Sequence, residues 1–142
     1  MKKKNTLLLF LCLFSLWAVA QENKPVKIAC VGNSITYGSG IKNQFQNSYP
    51  GLLSQLLGEG YDVRNFGISA RVLLNKGDHP YMHEQKFRDL LAFQPDIVTI
   101  KLGTNDSKPW NWRYGKDFKK DLTEMLDILQ ELPSKPKIYL CL

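Results

Sequence analysis

The sequence predicts an α/β fold, a central parallel sheet with helices on both faces. Short apolar runs alternate with amphipathic segments in the order β-α-β-α-β-α-β, the pattern of right-handed crossover units. The first three apolar runs each give way to a glycine, Gly32, Gly67 and Gly103. The 142 residues are 44% hydrophobic and 23% charged, which fits one globular domain or part of one. That composition excludes collagen-like, mucin-like and wholly disordered chains. Three cysteines exclude a disulfide-stapled miniprotein, and no internal repeat suggests a solenoid or propeller.

Residues 1–20 read as a secretory signal peptide. Lys2, Lys3 and Lys4 form a basic start, Leu7 to Ala20 is an apolar run broken only by Ser15, and Ala18-Val19-Ala20 is an A-x-A cleavage site. The run is 14 residues long, short for roughly 30 Å of hydrocarbon, so a stable membrane anchor is not expected. Cys12 lies inside the run, which argues against a lipid-anchored cysteine. Residues 21–142 are then the domain, exported to the periplasm or secreted. Loss of three lysines leaves 16 basic against 13 acidic residues, a net charge of +3 instead of +6. No basic run of five or more remains, so nucleic acid is not an expected partner.

Each element has its own signal. Val26 to Val31 is a first strand ending at Gly32. Tyr49, Leu52, Leu53, Leu56 and Leu57 recur at helical spacing, and Gly58 stops that helix. Tyr61 to Phe66 is a second strand, closed by Gly67. Pro80 opens a helix with Phe87, Leu90 and Leu91 on one face. Asp96 to Leu102 is a third strand. Phe118, Leu122, Met125, Leu126 and Leu129 mark a third helix, ended before Pro133, and Lys137 to Leu142 is a fourth strand. An apolar strand at the very end of the sequence predicts that these residues are the first part of a longer domain.

Sites in open parallel sheets lie beyond the carboxyl ends of the strands, so the loops after Val31, Phe66 and Leu102 matter most. The first reads Gly32-Asn33-Ser34-Ile35-Thr36-Tyr37-Gly38. It is no phosphate-binding loop, because the glycines are one residue too far apart and Ser39 stands where lysine is needed. Gly38-Ser39-Gly40 begins a dinucleotide fingerprint but lacks its last glycine. The nucleophile elbow G-x-S-x-G requires glycine where Thr36 stands. What remains is a serine just beyond a buried strand. Such a serine also suits a helix cap, and Asn105 in the third loop suits an Asx turn or, in Asn105-Asp106-Ser107, a glycosylation sequon.

Three blocks, each after its own strand, carry a resemblance: Gly32-Asn33-Ser34-Ile35-Thr36, Gly67 within Asn65-Phe66-Gly67-Ile68-Ser69, and Gly103-Thr104-Asn105-Asp106. In that order they resemble the blocks of the SGNH (GDSL-type) hydrolases over roughly residues 26–142. A narrower likeness, to bacterial exported carbohydrate acetylesterases including sialate O-acetylesterase-like proteins, rests on Tyr49-Pro50, Gly77 to Tyr81 and Gly103 to Trp112. The resemblance implies a three-layer, flavodoxin-like sandwich and a carboxylic ester hydrolase acting on carbohydrate or other small acetyl esters, with no cofactor and no metal. It implies Ser34 as nucleophile, with the Ser34 and Gly67 backbone N–H groups and the Asn105 amide as the oxyanion hole. Asn33 departs from the family's aspartate. The family's late D-x-x-H block, which supplies the base and its orienting acid, does not occur in these residues. The 142 residues alone are therefore expected to be inactive, and a non-catalytic carbohydrate-binding domain on the same fold is the alternative reading.

His79 and His83 are the only histidines. His79 precedes Pro80 and so belongs at a helix start, not on the face of His83, which disfavours a metal pair. Pro109 to Tyr114 brings aromatics beside the third loop, suited to a sugar face, an acyl pocket or the domain's own rim. Cys30 and Cys141 both fall in apolar strands and are expected to be buried and reduced. In the strand order 2-1-3-4-5 they lie two spacings, roughly 9–10 Å, apart, beyond the ~7 Å a disulfide tolerates.

Overall fold

A computed structural model describes residues 24–141, so the N-terminal apolar run and its cleavage site lie outside the described residues. Four strands form one parallel sheet in the order β2-β1-β3-β4: β1 (Val26–Gly32), β2 (Tyr61–Gly67), β3 (Ile97–Lys101) and β4 (Lys137–Leu140). The helices are α1 (Ser34–Tyr37), α2 (Gln44–Asn47), α3 (Tyr49–Leu57), α4 (Gln85–Phe93), α5 (Pro109–Trp112) and α6 (Phe118–Gln130). Among the described residues no helix is long and apolar enough to cross a membrane.

β1 sits between β2 and β3 and is buried on both faces, which is why its sequence is apolar without alternation. Ala29 and Val31 point to one face, where Val98, Ile100 and Phe66 join them against Phe87, Leu90 and Phe93 of α4 and Met125 and Leu129 of α6. Asp121, Met125 and Leu129 are four residues apart and form the buried stripe of α6. Burial of each large apolar side chain there contributes about 1.5–3 kcal/mol. Cys30 points to the other face, where Thr99 is its register partner and Tyr49 of α3 lies within 3.1 Å of the Thr99 hydroxyl. Burial pushes both the Cys30 thiol and the Tyr49 hydroxyl above their ordinary pKa. α3 on one side and α4 with α6 on the other make three layers.

The chain between β2 and α4 departs from the expected helix. Pro80 is extended, and α4 begins only at Gln85. Val72 N–H donates to His79 O and Tyr81 N–H to Val72 O, a two-residue parallel bridge that claims the backbone a helix would need. The fully buried Tyr81 hydroxyl donates to Phe66 O at 2.7 Å, so a carbonyl of the edge strand β2 is satisfied by a side chain. A short 3-10 turn, Tyr81–His83, then leads into α4.

Cys141 is exposed, not buried as its apolar run suggests, because it follows the last residue of the outermost described strand. Cys30 is buried, and both thiols are free.

Candidate active site

The sheet register brings the three loops to one rim. Gly32 is paired with Gly67 on one side and with Lys101 on the other, so β2, β1 and β3 end level. Ser34 follows two residues beyond that line, and Asn105 four residues beyond it.

Ser34 is the first residue of α1 and is half-buried. The cap is its neighbour: Asn33 Oδ1 accepts from Ile35 N–H at 3.0 Å. Gly38 stops the helix in the left-handed region at φ 87, its N–H donating to Ser34 O at 2.9 Å. With Ile35 N–H taken by the cap, the Ser34 N–H is a first-turn donor with no hydrogen-bond partner among the described residues. A Cβ at Gly67 would overlap the backbone of Thr36 and Tyr37, so the end of β2 reaches α1 only as glycine.

The second expected oxyanion donor is engaged elsewhere. Gly67 N–H donates to Asn65 Oδ1 at 2.9 Å, while Asn65 Nδ2 donates to Thr36 O at 2.9 Å. Asn65 therefore ties β2 to α1 and occupies the Gly67 hydrogen. Three residues on, Ala70 adopts φ 67, a conformation that costs an L-residue about 1 kcal/mol or more. Ala70 is exposed, and its N–H has no hydrogen bond among the described residues. Sequence reading missed this residue because alanine carries no signal for a left-handed backbone. Lys86 Nζ donates to Gly67 O at 3.3 Å, and burial lowers its pKa.

The third loop is bonded to the connection after β2. Asn105 is 8% exposed, and its Nδ2 donates to Arg71 O at 3.0 Å, leaving one amide hydrogen for another acceptor. That bond spans 34 residues, so Asn105 is not a local Asx turn, and so buried an amide leaves no room for a glycan. Asp106 is fully buried and accepts from Leu73 N–H at 2.9 Å and Leu74 N–H at 2.8 Å. Buried Asn111 donates to Asn105 O and to Asp78 Oδ1, both at 3.0 Å, and accepts from Asp78 N–H at 2.9 Å. Asp121 of α6 accepts from Asn75 N–H at 2.8 Å. Asp78, Asp106, Asn111 and Asp121 are thus the polar residues that position the rim. Only the first three lay in motif segments of the sequence, and none had a role assigned.

His79 and His83 are exposed, on the β2–α4 connection. Among the described residues no group of three His, Cys, Asp or Glu could hold a metal ion. Trp110 and Trp112, both on α5, are each 53% exposed.

An acetylxylan esterase of Xylanibacter ruminicola is 48% identical to this chain over 139 residues, an alignment covering 86% of the chain and 29% of that relative. Among solved structures, an inhibitor-bound aryl esterase of M. smegmatis matches with a TM-score of 0.65 at 22% identity. A carbohydrate acetylesterase, Est24 of Sinorhizobium meliloti, matches with a TM-score of 0.61 at 21% identity. Each of these structural matches covers 81% of this chain and 62% of the other, and at such identities they show the fold. The chain thus spans under a third of the curated relative and about three-fifths of the solved ones. Residues 30–142 match the GDSL-like Lipase/Acylhydrolase family, and with the three blocks level on one rim the chain belongs to that family.

Proposed function

We propose that the protein is a serine esterase that removes acetyl groups from carbohydrate, with Ser34 as nucleophile. The observation that carries the reading is the juxtaposition at the rim. Beyond the end of β1 stand the hydroxyl of Ser34 and its N–H, which has no partner among the described residues. The Asn105 amide, with one hydrogen to spare, is bonded to the loop that leaves the neighbouring β2. A nucleophile and convergent donors are what acyl transfer needs.

In this mechanism Ser34 Oγ attacks the acetyl carbon and loses its proton to a general base. The carbonyl oxygen becomes an oxyanion that accepts from Ser34 N–H and Asn105 Nδ2. Ala70 N–H is the third donor: it precedes Arg71, whose carbonyl holds Asn105, whereas Gly67 N–H serves only if Asn65 releases it. The intermediate collapses, the base returns its proton to the leaving sugar hydroxyl, and water then releases acetate from the acyl-serine by the same steps. In the family this chain resembles, the base and its orienting acid come from a D-x-x-H block, a pattern that these 142 residues do not contain. No step calls for a cofactor.

The carbohydrate acetyl ester follows from the named activities of the acetylxylan esterase and of Est24. The apolar N-terminal segment with its A-x-A site supports export to the periplasm or medium, leaving residues 21–142 in the mature domain. The non-catalytic alternative has no support among these relatives, all of which are named as esterases.

The test is hydrolysis of 4-nitrophenyl acetate and of acetylated xylan by the full-length protein and its Ser34→Ala variant. Loss of a nucleophile lowers kcat by at least about 10³-fold. Undiminished turnover by a folded Ser34→Ala protein would remove the proposal.

A further inference from the structure

We infer that Trp110 is a sugar-stacking residue, placing a pyranose ring of the glycan next to the acetyl group held at Asn105. The inference rests on the esterase reading above and adds to it the residue that selects glycan over small ester.

Trp110 is about half exposed, yet its ring is fixed. Indole Nε1 donates to Asp78 Oδ2 at 3.1 Å, and the Lys108 ammonium stands 5.6 Å from the ring centroid. Asp78 is fixed in turn, since Asn111 donates to its Oδ1 and accepts from its N–H. Partial desolvation raises the Asp78 pKa, but the hydrogen bonds from Trp110 and Asn111, with His79 alongside, outweigh it and leave the carboxyl below its usual value. The hydrogen bonds that hold the indole thus also favour the ionised carboxylate.

The same Asn111 amide donates to Asn105 O. One buried side chain thus joins the candidate oxyanion residue to the carboxylate that orients the tryptophan. Burying the indole would add more to stability than leaving half of it in water. Here the chain spends a hydrogen bond on holding an exposed aromatic plane still, which is preorganisation for a ligand. Trp112, two residues on, is different: its ring packs on Phe118 at 6.0 Å and against Gly115, within the domain's own rim. The ligand chemistry follows from the surroundings. An exposed ring with an ionised carboxylate at its Nε1 edge and an ammonium over one face leaves the other face to a pyranose, which offers axial C–H groups to the ring and a hydroxyl that donates to Asp78.

The experiment compares two substrates and one binding measurement on the full-length protein. Trp110→Ala is expected to lower kcat/KM on acetylated xylo-oligosaccharide about tenfold, through KM, and to leave 4-nitrophenyl acetate within about twofold. Trp110→Phe keeps a stacking ring and is expected to retain most of the oligosaccharide rate. Equal losses on both substrates would overturn the inference, because Trp110 would then act only by positioning Asn105. An unchanged oligosaccharide KM would overturn it as well. Calorimetric binding of the same oligosaccharide to Ser34→Ala protein, with and without Trp110→Ala, separates this inference from the nucleophile assignment. About a tenfold weaker Kd supports stacking even where Ser34 proves not to be the nucleophile, and an equal Kd rejects it.

Discussion

The loop after β1 and the loop after β3 reach the same rim by opposite means. The first is closed mainly by its own residues, with one long-range tie from Asn65 to Thr36 O. Asn33 caps α1 two residues away, and Gly38 ends it on Ser34 O four residues back. The third is closed from a distance. Asn105, Asp106 and Asn111 bond to Arg71, Leu73, Leu74 and Asp78, across 32–34 residues. The difference teaches where each kind of residue acts. A nucleophile on a self-contained turn is fixed by local geometry. The proposed oxyanion side chain, in a loop far along the sequence, is aligned with it by long-range polar bonds, and those bonds become part of the fold's stability.

The sharpest test of that division is a pair of adjacent residues. Asn105→Ala removes an amide donor whose loss typically raises the barrier by about 3–4 kcal/mol, so kcat on acetate esters should fall about 10²- to 10³-fold. Its thermal midpoint should move little, since the substitution deletes one hydrogen bond to Arg71 O. An Asn105→Ala enzyme with full kcat would place the oxyanion elsewhere.

Asp106→Ala should show the opposite balance. It strands the Leu73 and Leu74 N–H groups in a site without solvent. Leaving buried donors unpaired costs about 1–3 kcal/mol each, so urea unfolding should show a loss of about 2–6 kcal/mol for the two. If Asp106→Ala unfolds at the same urea concentration as the parent, the link between the second and third loops is not what holds the rim.

The same contrast marks how far the residues could be read before the structure. The strands and the three larger helices were legible because burial imposes period on them. β1 ends at Gly32, α3 stops at Gly58, and α6 carries Met125 and Leu129 four apart. The placement of Ser34 and Asn105 beyond the strand ends was legible because each follows a strand within a short local pattern. Asp106 looked like an ordinary polar loop residue, since its partners are backbone N–H groups of a segment 32–33 residues earlier. Pro80 gave a misleading signal for a related reason: its helix-start preference lost to the bridge between Val72 and Tyr81. Gly67 was read as a donor from its place in the block. The competing acceptor, Asn65 Oδ1, sits two residues away on the same strand, in a geometry that composition does not reveal.

The smallest expected effect tests whether the first loop is as self-contained as its bonds suggest. Asn33→Ala deletes the α1 cap, which typically costs about 1 kcal/mol, or about 3–6 °C for a domain of this size. The cost is further limited because Asn33 Nδ2 is already buried without a partner, and alanine removes that unpaired donor. Ser34 keeps its place through the Gly38 closure and the contact of Gly67 with the α1 backbone. Turnover of 4-nitrophenyl acetate by Asn33→Ala should therefore fall by less than about tenfold, far short of the Asn105→Ala loss. If instead the two losses are equal while stability barely changes, the cap aims Ser34 N–H at the oxyanion. The first loop would then depend on its alignment as much as the third.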